Sequence, residues 1–158
     1  MTADYRKNAG IVVFNKDKKV LLCQRVDLKG QWQFPQGGIN DGEDLGKAAK
    51  RELFEETGLT SVTLVMTLKE PIRYDYPLQI REKLQKRGYN DLGQEQFWSL
   101  FYFFGTEEEI VFDGHKEEIE FRSFEWVDLE EAVRRVVSWK QEAYKKMADI
   151  FSPAIEAF

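Results

Sequence analysis

The chain has 158 residues, four Trp, twelve Phe, 42% hydrophobic content and a formal net charge of −5. That length suits one domain spanning 1–158 with a sizeable core, and the acidic balance argues against a protein that coats nucleic acid or a DNA duplex through bulk charge. No run approaches the about eighteen uninterrupted apolar residues of a membrane span, so no membrane partner is expected. The N-terminal MTADYRKNAG lacks the apolar core of a signal peptide. The single cysteine, Cys23, excludes an internal disulfide; it fits a reducing cytoplasm and, within KVLLCQRV, reads as core packing.

In chain order, apolar runs predict strands over Ala9–Phe14 and Val20–Val26, joined as a hairpin by Asn15-Lys16-Asp17-Lys18. A helix over Leu45–Thr57 follows, with Asp44 as N-cap and Gly58 as stop, Leu59 supplying the contact beyond the cap. Further strands are expected over Val62–Leu68, over Phe97–Phe104 as a strand buried on both faces, and over Glu118–Val127. In the last of these Ile119 and Phe121 would share one side. One long helix from Leu129 to about Phe151, capped by Asp128, would carry an apolar stripe through Ala132, Val136, Ala143, Tyr144 and Met147. Strands and helices interleave, which predicts an α/β sandwich with a mixed sheet.

The least regular stretch is Lys69–Gln96. From Lys69 to Arg87 it holds six cations against three acids, as either a solvated loop or a lid and phosphate guide. Lone His115, in DGHKEE, reads as a surface histidine, and Trp32 and Trp126 as core aromatics.

The chemistry concentrates in KRELFEETGL. Glu52, Glu55 and Glu56 stand at i, i+3 and i+4, on one helix face. Leu45, Ala48, Ala49 and Leu53 define the apolar arc; Glu52 and Glu56 fall within it and Glu55 at its edge. Carboxylates aimed inward repel one another and lose hydration unless a cation joins them, and oxygen-only ligands suit Mg²⁺ or Mn²⁺. A solvated face of Glu–Lys pairs is the plainer reading, but Lys47, Lys50 and Arg51 lie on the other side of the wheel. The loop PQGGINDGED brings glycines to the helix N-terminus, where backbone N–H groups favour anions.

From Gly37, five residues lead to Glu43 and seven more to Arg51, followed by Glu52, Leu53, Glu55, Glu56, Gly58 and Leu59. This resembles the Nudix box, G-x5-E-x7-R-E-U-x-E-E-x-G-U with U aliphatic, at all nine specified positions. The resemblance implies the Nudix fold, a mixed sheet between helices, and hydrolysis of a nucleoside diphosphate linked to another group. It also implies that Glu52, Glu55 and Glu56 bind more than one metal ion with the Gly37 carbonyl, while Arg51 and Glu43 pair to hold helix and loop in register. Glu120, in EEIEFRSFEW, matches an outside metal ligand of related enzymes and is equally one acid in an acidic run. The general base is a box glutamate or a carboxylate from outside the box.

Beyond the box, YRKNAGIVVFN, WQFPQGGINDGE, IRYDYP, LGQEQFW and VVSWK resemble the bacterial RNA 5′-pyrophosphohydrolases in order and spacing. The chain departs from them around Lys83–Asn90 and at Glu107–Glu109, which affects any contact from those loops. The resemblance implies conversion of 5′-triphosphate RNA to 5′-monophosphate RNA; dinucleoside polyphosphates and dGTP are the alternatives, and a Nudix binding module without catalysis the non-enzymatic one. Arg6 and Arg25, near strand ends, suit phosphate or are solvated surface arginines. Gln33, Gln36, Arg73 and Tyr74 offer hydrogen bonds or stacking. Lys140 falls in the middle of the apolar stripe and Trp139 at its edge; a lysine there either snorkels or lines a cleft with Trp139 stacking on a base.

Overall fold

The computed structural model describes residues 4–27, 30–112 and 118–158. Strand β1 (Tyr5–Phe14) turns through Asn15–Lys18 into β2 (Val20–Arg25), and Asn15 Oδ1 accepts the backbone N–H groups of Asp17 and Lys19. Short strands β3 (Trp32–Gln33) and β4 (Gln36–Gly38) lead into helix α1 (Leu45–Thr57). Then come β5 (Val62–Thr67), β6 (Ile72–Asp75), helix α2 (Leu78–Lys86), β7 (Gly93–Phe103), β8 (Phe121–Val127) and helices α3 (Leu129–Arg135) and α4 (Gln141–Ala157).

The strands form one mixed sheet in the order β3-β2-β1-β7-β5, with β4 on β1, β6 on β7 and β8 on β2. Only the central β1–β7 pairing is parallel among the described strands, from Tyr5 opposite Gly93 to Phe14 opposite Tyr102. Because side chains alternate along a strand, β1 feeds two cores. Ala9, Ile11 and Val13 pack with Ala49, Leu53 and Leu59 around α1, whereas Val12 and Phe14 pack with Ala132, Val136, Tyr144 and Met147 of the C-terminal helices. Fully burying a leucine such as Leu53 stabilises the fold by about 1.5–3 kcal/mol. Cys23 and half-buried Trp126 join the α1 side, and half-buried Trp32 the other. The layers are those of an α/β sandwich.

The caps of α1 are as read from the sequence. Asp44 accepts the Lys47 N–H at 3.1 Å, and Gly58 adopts φ 79°, a left-handed conformation that only glycine enters without strain, while its N–H closes on Phe54 O.

Four expectations are corrected. The single C-terminal helix is two: Val136 leaves helical geometry at ψ 155°, and a 3-10 turn over Ser138–Lys140 precedes α4. The Gln141 amide donates to the Arg134 and Val136 carbonyls that the break leaves over, and both halves keep their apolar sides on the same core. The irregular stretch contains β6 and α2. Finally, β8 begins only at Phe121; Ile119 lies before it and is exposed while Phe121 is buried. Phe104, placed in the twice-buried strand, falls just beyond β7 and is also exposed. His115 lies outside the described residues.

Candidate active site

Helix α1 lies across the glycines of β4, and this packing creates the site. Glu52 and Glu56 are both buried, while Glu55 is half-exposed at the rim. The backbone at Gly37 is so close that a Cβ built there would stand 2.0 Å from Glu52 Oε2, so the carboxylate occupies the space a side chain would take. Glu56 reaches the sheet beside β2: burial first, and then the Glu56 charge, pushes the Cys23 thiol well above its ordinary range.

Arg51 organises this face. Its guanidinium holds Glu43 through two oxygens, at 2.8 and 2.9 Å, and bonds the Gly38 carbonyl at 3.0 Å, Glu52 at 2.9 Å and Glu55 at 3.2 Å. Five donors in a rigid fork make this possible. The wheel had set Arg51 apart from the inward acids, and the long side chain instead curls back to two of them. The Arg51 contact, then the Asn40 N–H, pulls the Glu43 carboxyl down to about 2, so this clasp between loop and helix stays ionised at any physiological pH. Among the described residues no three carboxylate, histidine or cysteine side chains converge as a closed ligand set. The chemistry still fits a hard cation: two buried carboxylates one turn apart, a third at the rim, and a backbone with no side chain between it and Glu52.

The same end of β2 links this face to a second group. The Glu120 carbonyl accepts the Val26 N–H at 3.0 Å, which sets Glu120 beside Arg25 at the entry to β8, and the Arg25 guanidinium feels its charge. Arg25 is tied to Asp27 at 2.7 Å and donates to Gln33 Oε1 at 3.3 Å. Lys140 donates to the same Gln33 oxygen at 3.4 Å, and its Nζ lies 5.2 Å from the Trp139 ring centre and 5.8 Å from that of Tyr74. Tyr74, Tyr76 and Trp139 pack against one another at 5.5–6.0 Å between ring centres. Desolvation, and after it repulsion from Arg25, pulls the buried Lys140 ammonium down to about 7.

The structure thus brings together Arg25, Gln33, Tyr74, Trp139 and Lys140. Gln36 instead accepts from the Gln96 amide at 3.0 Å, in a row with Asn8. Arg73 points to the opposite side of β6 from Tyr74, paired with Glu95 at 3.0 Å and 4.8 Å above the Tyr5 ring. Arg6 lies 5.8 Å over the exposed ring of Tyr89. The sequence reading passed over Asn8, Gln94 and Gln96, which are buried on the α4 side of the sheet; Tyr74 donates its hydroxyl hydrogen to Gln94, and the Gln96 Oε1 finds no partner among the described residues. The available signal was two glutamines at i, i+2 entering an apolar strand, in phase with Trp98.

A family model, the NUDIX domain, matches residues 4–147. An RNA pyrophosphohydrolase of Bartonella clarridgeiae is 41% identical over 159 residues, covering 93% of this chain and 90% of that one. Nudix hydrolase 26, chloroplastic, of Arabidopsis thaliana is 38% identical over 154 residues, covering 96% and 71%. In fold, the chain is similar to the E. coli dihydroneopterin triphosphate pyrophosphohydrolase, with a TM-score of 0.68 at 21% identity over 92% of this chain and 97% of that one. It is also similar to a C. elegans Ap4A hydrolase, with a TM-score of 0.62 at 19% identity over 92% and 98%. The chain belongs to the Nudix family of hydrolases, enzymes that act on acid anhydrides.

Proposed function

We propose that this Nudix hydrolase removes pyrophosphate from 5′-triphosphate RNA and leaves a 5′-monophosphate end. The observation that carries the reading is the pair of cations sharing Gln33, walled by Trp139 and Tyr74, at the end of the strand that also meets Glu56 and Glu120. Cations beside aromatic rings suit a polyphosphate that carries a base. The choice of RNA among such ligands is supported by the near full-length similarity to chains named RNA pyrophosphohydrolase. The unpaired, buried Cys23 is compatible with work in the cytoplasm.

Glu52, Glu55 and Glu56, with the Gly37 carbonyl and Glu120, would hold Mg²⁺ or Mn²⁺, more than one ion per site. Bound divalent ions supply charge compensation for phosphate oxygens and a more acidic water. Arg51 keeps the loop and the glutamates in register through Glu43 and Gly38, so the carboxylates need little reordering when substrate arrives. Arg25 and Lys140 orient the polyphosphate from the other side, and Trp139 and Tyr74 exclude water around the first base.

The test compares 5′-triphosphate RNA, diadenosine tetraphosphate and dGTP at equal Mg²⁺. RNA is expected to show the highest kcat/KM, with 5′-monophosphate RNA and pyrophosphate or orthophosphate as products. A higher value for diadenosine tetraphosphate or dGTP would replace the RNA reading.

A further inference from the structure

Helix α2 is an anomaly in this fold. It buries none of its nine residues, has no side-chain N-cap, and leaves Leu78 68% exposed. A helix this short is marginal in water unless something packs on it. Its charge is equally out of keeping. Residues 78–90 carry Arg81, Lys83, Lys86 and Arg87 against Glu82 alone, a net +3 in a chain whose total is −5. Lys83 and Lys86 occupy the last turn, and Arg87 is the C-cap. Tyr89 then presents a ring 47% exposed, with the Arg6 guanidinium over it.

The patch is continuous with the candidate active site. Tyr76, which packs on Trp139 and Tyr74, is separated from α2 only by Pro77. The excursion is tied at its base by the Tyr76 N–H to Leu92 O and the Leu92 N–H to Asp4 O, at 2.9 and 2.8 Å. Arg73 and Arg81 both bear on Tyr5, beside Asp75, which the Tyr5 hydroxyl already holds at 2.5 Å. Acids also stand here: Glu82 within α2, and Asp4 and Asp91 at the base beside Leu92.

We infer that α2 and the turn through Tyr89 form a second RNA-binding surface, which grips the sugar-phosphate backbone of the transcript downstream of its 5′ nucleotides. The inference rests on RNA being the substrate. Spaced cations on an open surface suit a chain of phosphates, and an exposed tyrosine gives a base a face to stack on. A small polyphosphate at Lys140 carries no sugar-phosphate backbone for this surface to grip; a transcript does.

The experiment uses the full chain and two substrates, a 5′-triphosphorylated dinucleotide and an unstructured 5′-triphosphorylated RNA of about fifteen nucleotides. The variant is Lys83→Ala/Lys86→Ala/Arg87→Ala, whose sites are exposed. Removing three phosphate contacts should flatten the dependence of log kcat/KM on log salt by about 2 for the long RNA, a roughly 16-fold difference over a fourfold change of salt. At low salt the variant should lose about tenfold on the long RNA and nothing on the dinucleotide. Fluorescence anisotropy of the long 5′-monophosphate RNA should weaken in parallel. Unchanged activity and binding on the long RNA, or equal losses on both substrates, would overturn the second surface. No turnover of either RNA by the unmodified chain would overturn the RNA reading instead, and the dinucleotide arm separates the two failures.

Discussion

Replacing Lys140 by methionine should make the protein more stable and less active, with a pH signature that identifies the cause. Lys140 is 97% removed from solvent, and its pKa falls from 10.5 in the unfolded chain to about 7 in the fold. Between those values the unfolded state binds the extra proton, so stability rises with pH across that window, and the burial penalty is complete below it. At 1.36 kcal/mol per unit, burial costs the fold on the order of 4 kcal/mol at pH 7. The cation–π contacts with Trp139 and Tyr74 return about 0.5–1 kcal/mol each. Lys140→Met, which keeps the stem and removes the ammonium, should therefore gain roughly 3 kcal/mol at pH 6, or about 6–12 °C in Tm. That advantage should shrink by roughly 2–3 kcal/mol at pH 9, where the wild-type lysine is already neutral. Losing a charge-assisted contact to phosphate, worth about 1.5–3 kcal/mol, should lower kcat/KM about 10- to 150-fold. Urea unfolding at pH 6 and pH 9 and a triphosphate assay read all of this. If the variant is no more stable at pH 6, or if the difference is the same at both pH values, the lysine is not held against desolvation as described.

Hydrolysis should require Mg²⁺ or Mn²⁺, and Glu52→Gln or Glu56→Gln should each cost orders of magnitude in rate and weaken the rise in Tm that metal gives by binding the native state. Near-wild-type turnover in either variant would remove that glutamate from the ligand set. Gly37→Ala would put a methyl 2.0 Å from Glu52 Oε2, so the carboxylate must move; a loss of roughly a hundredfold in kcat with an intact circular dichroism spectrum is expected. Full activity there would show that Glu52 need not rest against the loop. Trp139→Ala should lower activity on 5′-triphosphate RNA roughly five- to 150-fold if the indole stacks on a base. An equal loss on a minimal polyphosphate would assign Trp139 to packing with Tyr74 and Tyr76.

What was legible in the sequence was local chemistry with one outcome. Asp44 and Gly58 mark the ends of α1 because each satisfies backbone groups within a single turn, and Glu52 and Glu56 betray themselves by facing the apolar arc. The break after Arg135 was hidden because neither glycine nor proline marks it. Val136 and Val137 continue the stripe by turning the chain rather than the helix, and the proline that is present, Pro153, sits inside α4 without ending it. Strand β6 was too short to show periodicity, and the half-buried side of α2 holds only Ile80, Arg81 and Leu84, too few apolar positions to mark a face. The partners of Arg51 and Arg73 depend on long side chains reaching across elements, which spacing along one helix or strand does not determine.

The parallel pairing of β1 with β7 also sets an order of events. Partners in this ladder stand 88 positions apart, as Tyr5 with Gly93. At roughly 5–20 residues per second, a ribosome extends the chain for about 4–18 s after β1 before its central neighbour exists. During that interval the first strand lacks the neighbour that closes one of its edges, and α1, already synthesised, lacks Phe101 and Phe103 from the core it will cover. Native contacts of such wide separation slow folding. Helix α1 is complete early in synthesis, and its glutamates acquire their buried setting only when the seventh strand arrives.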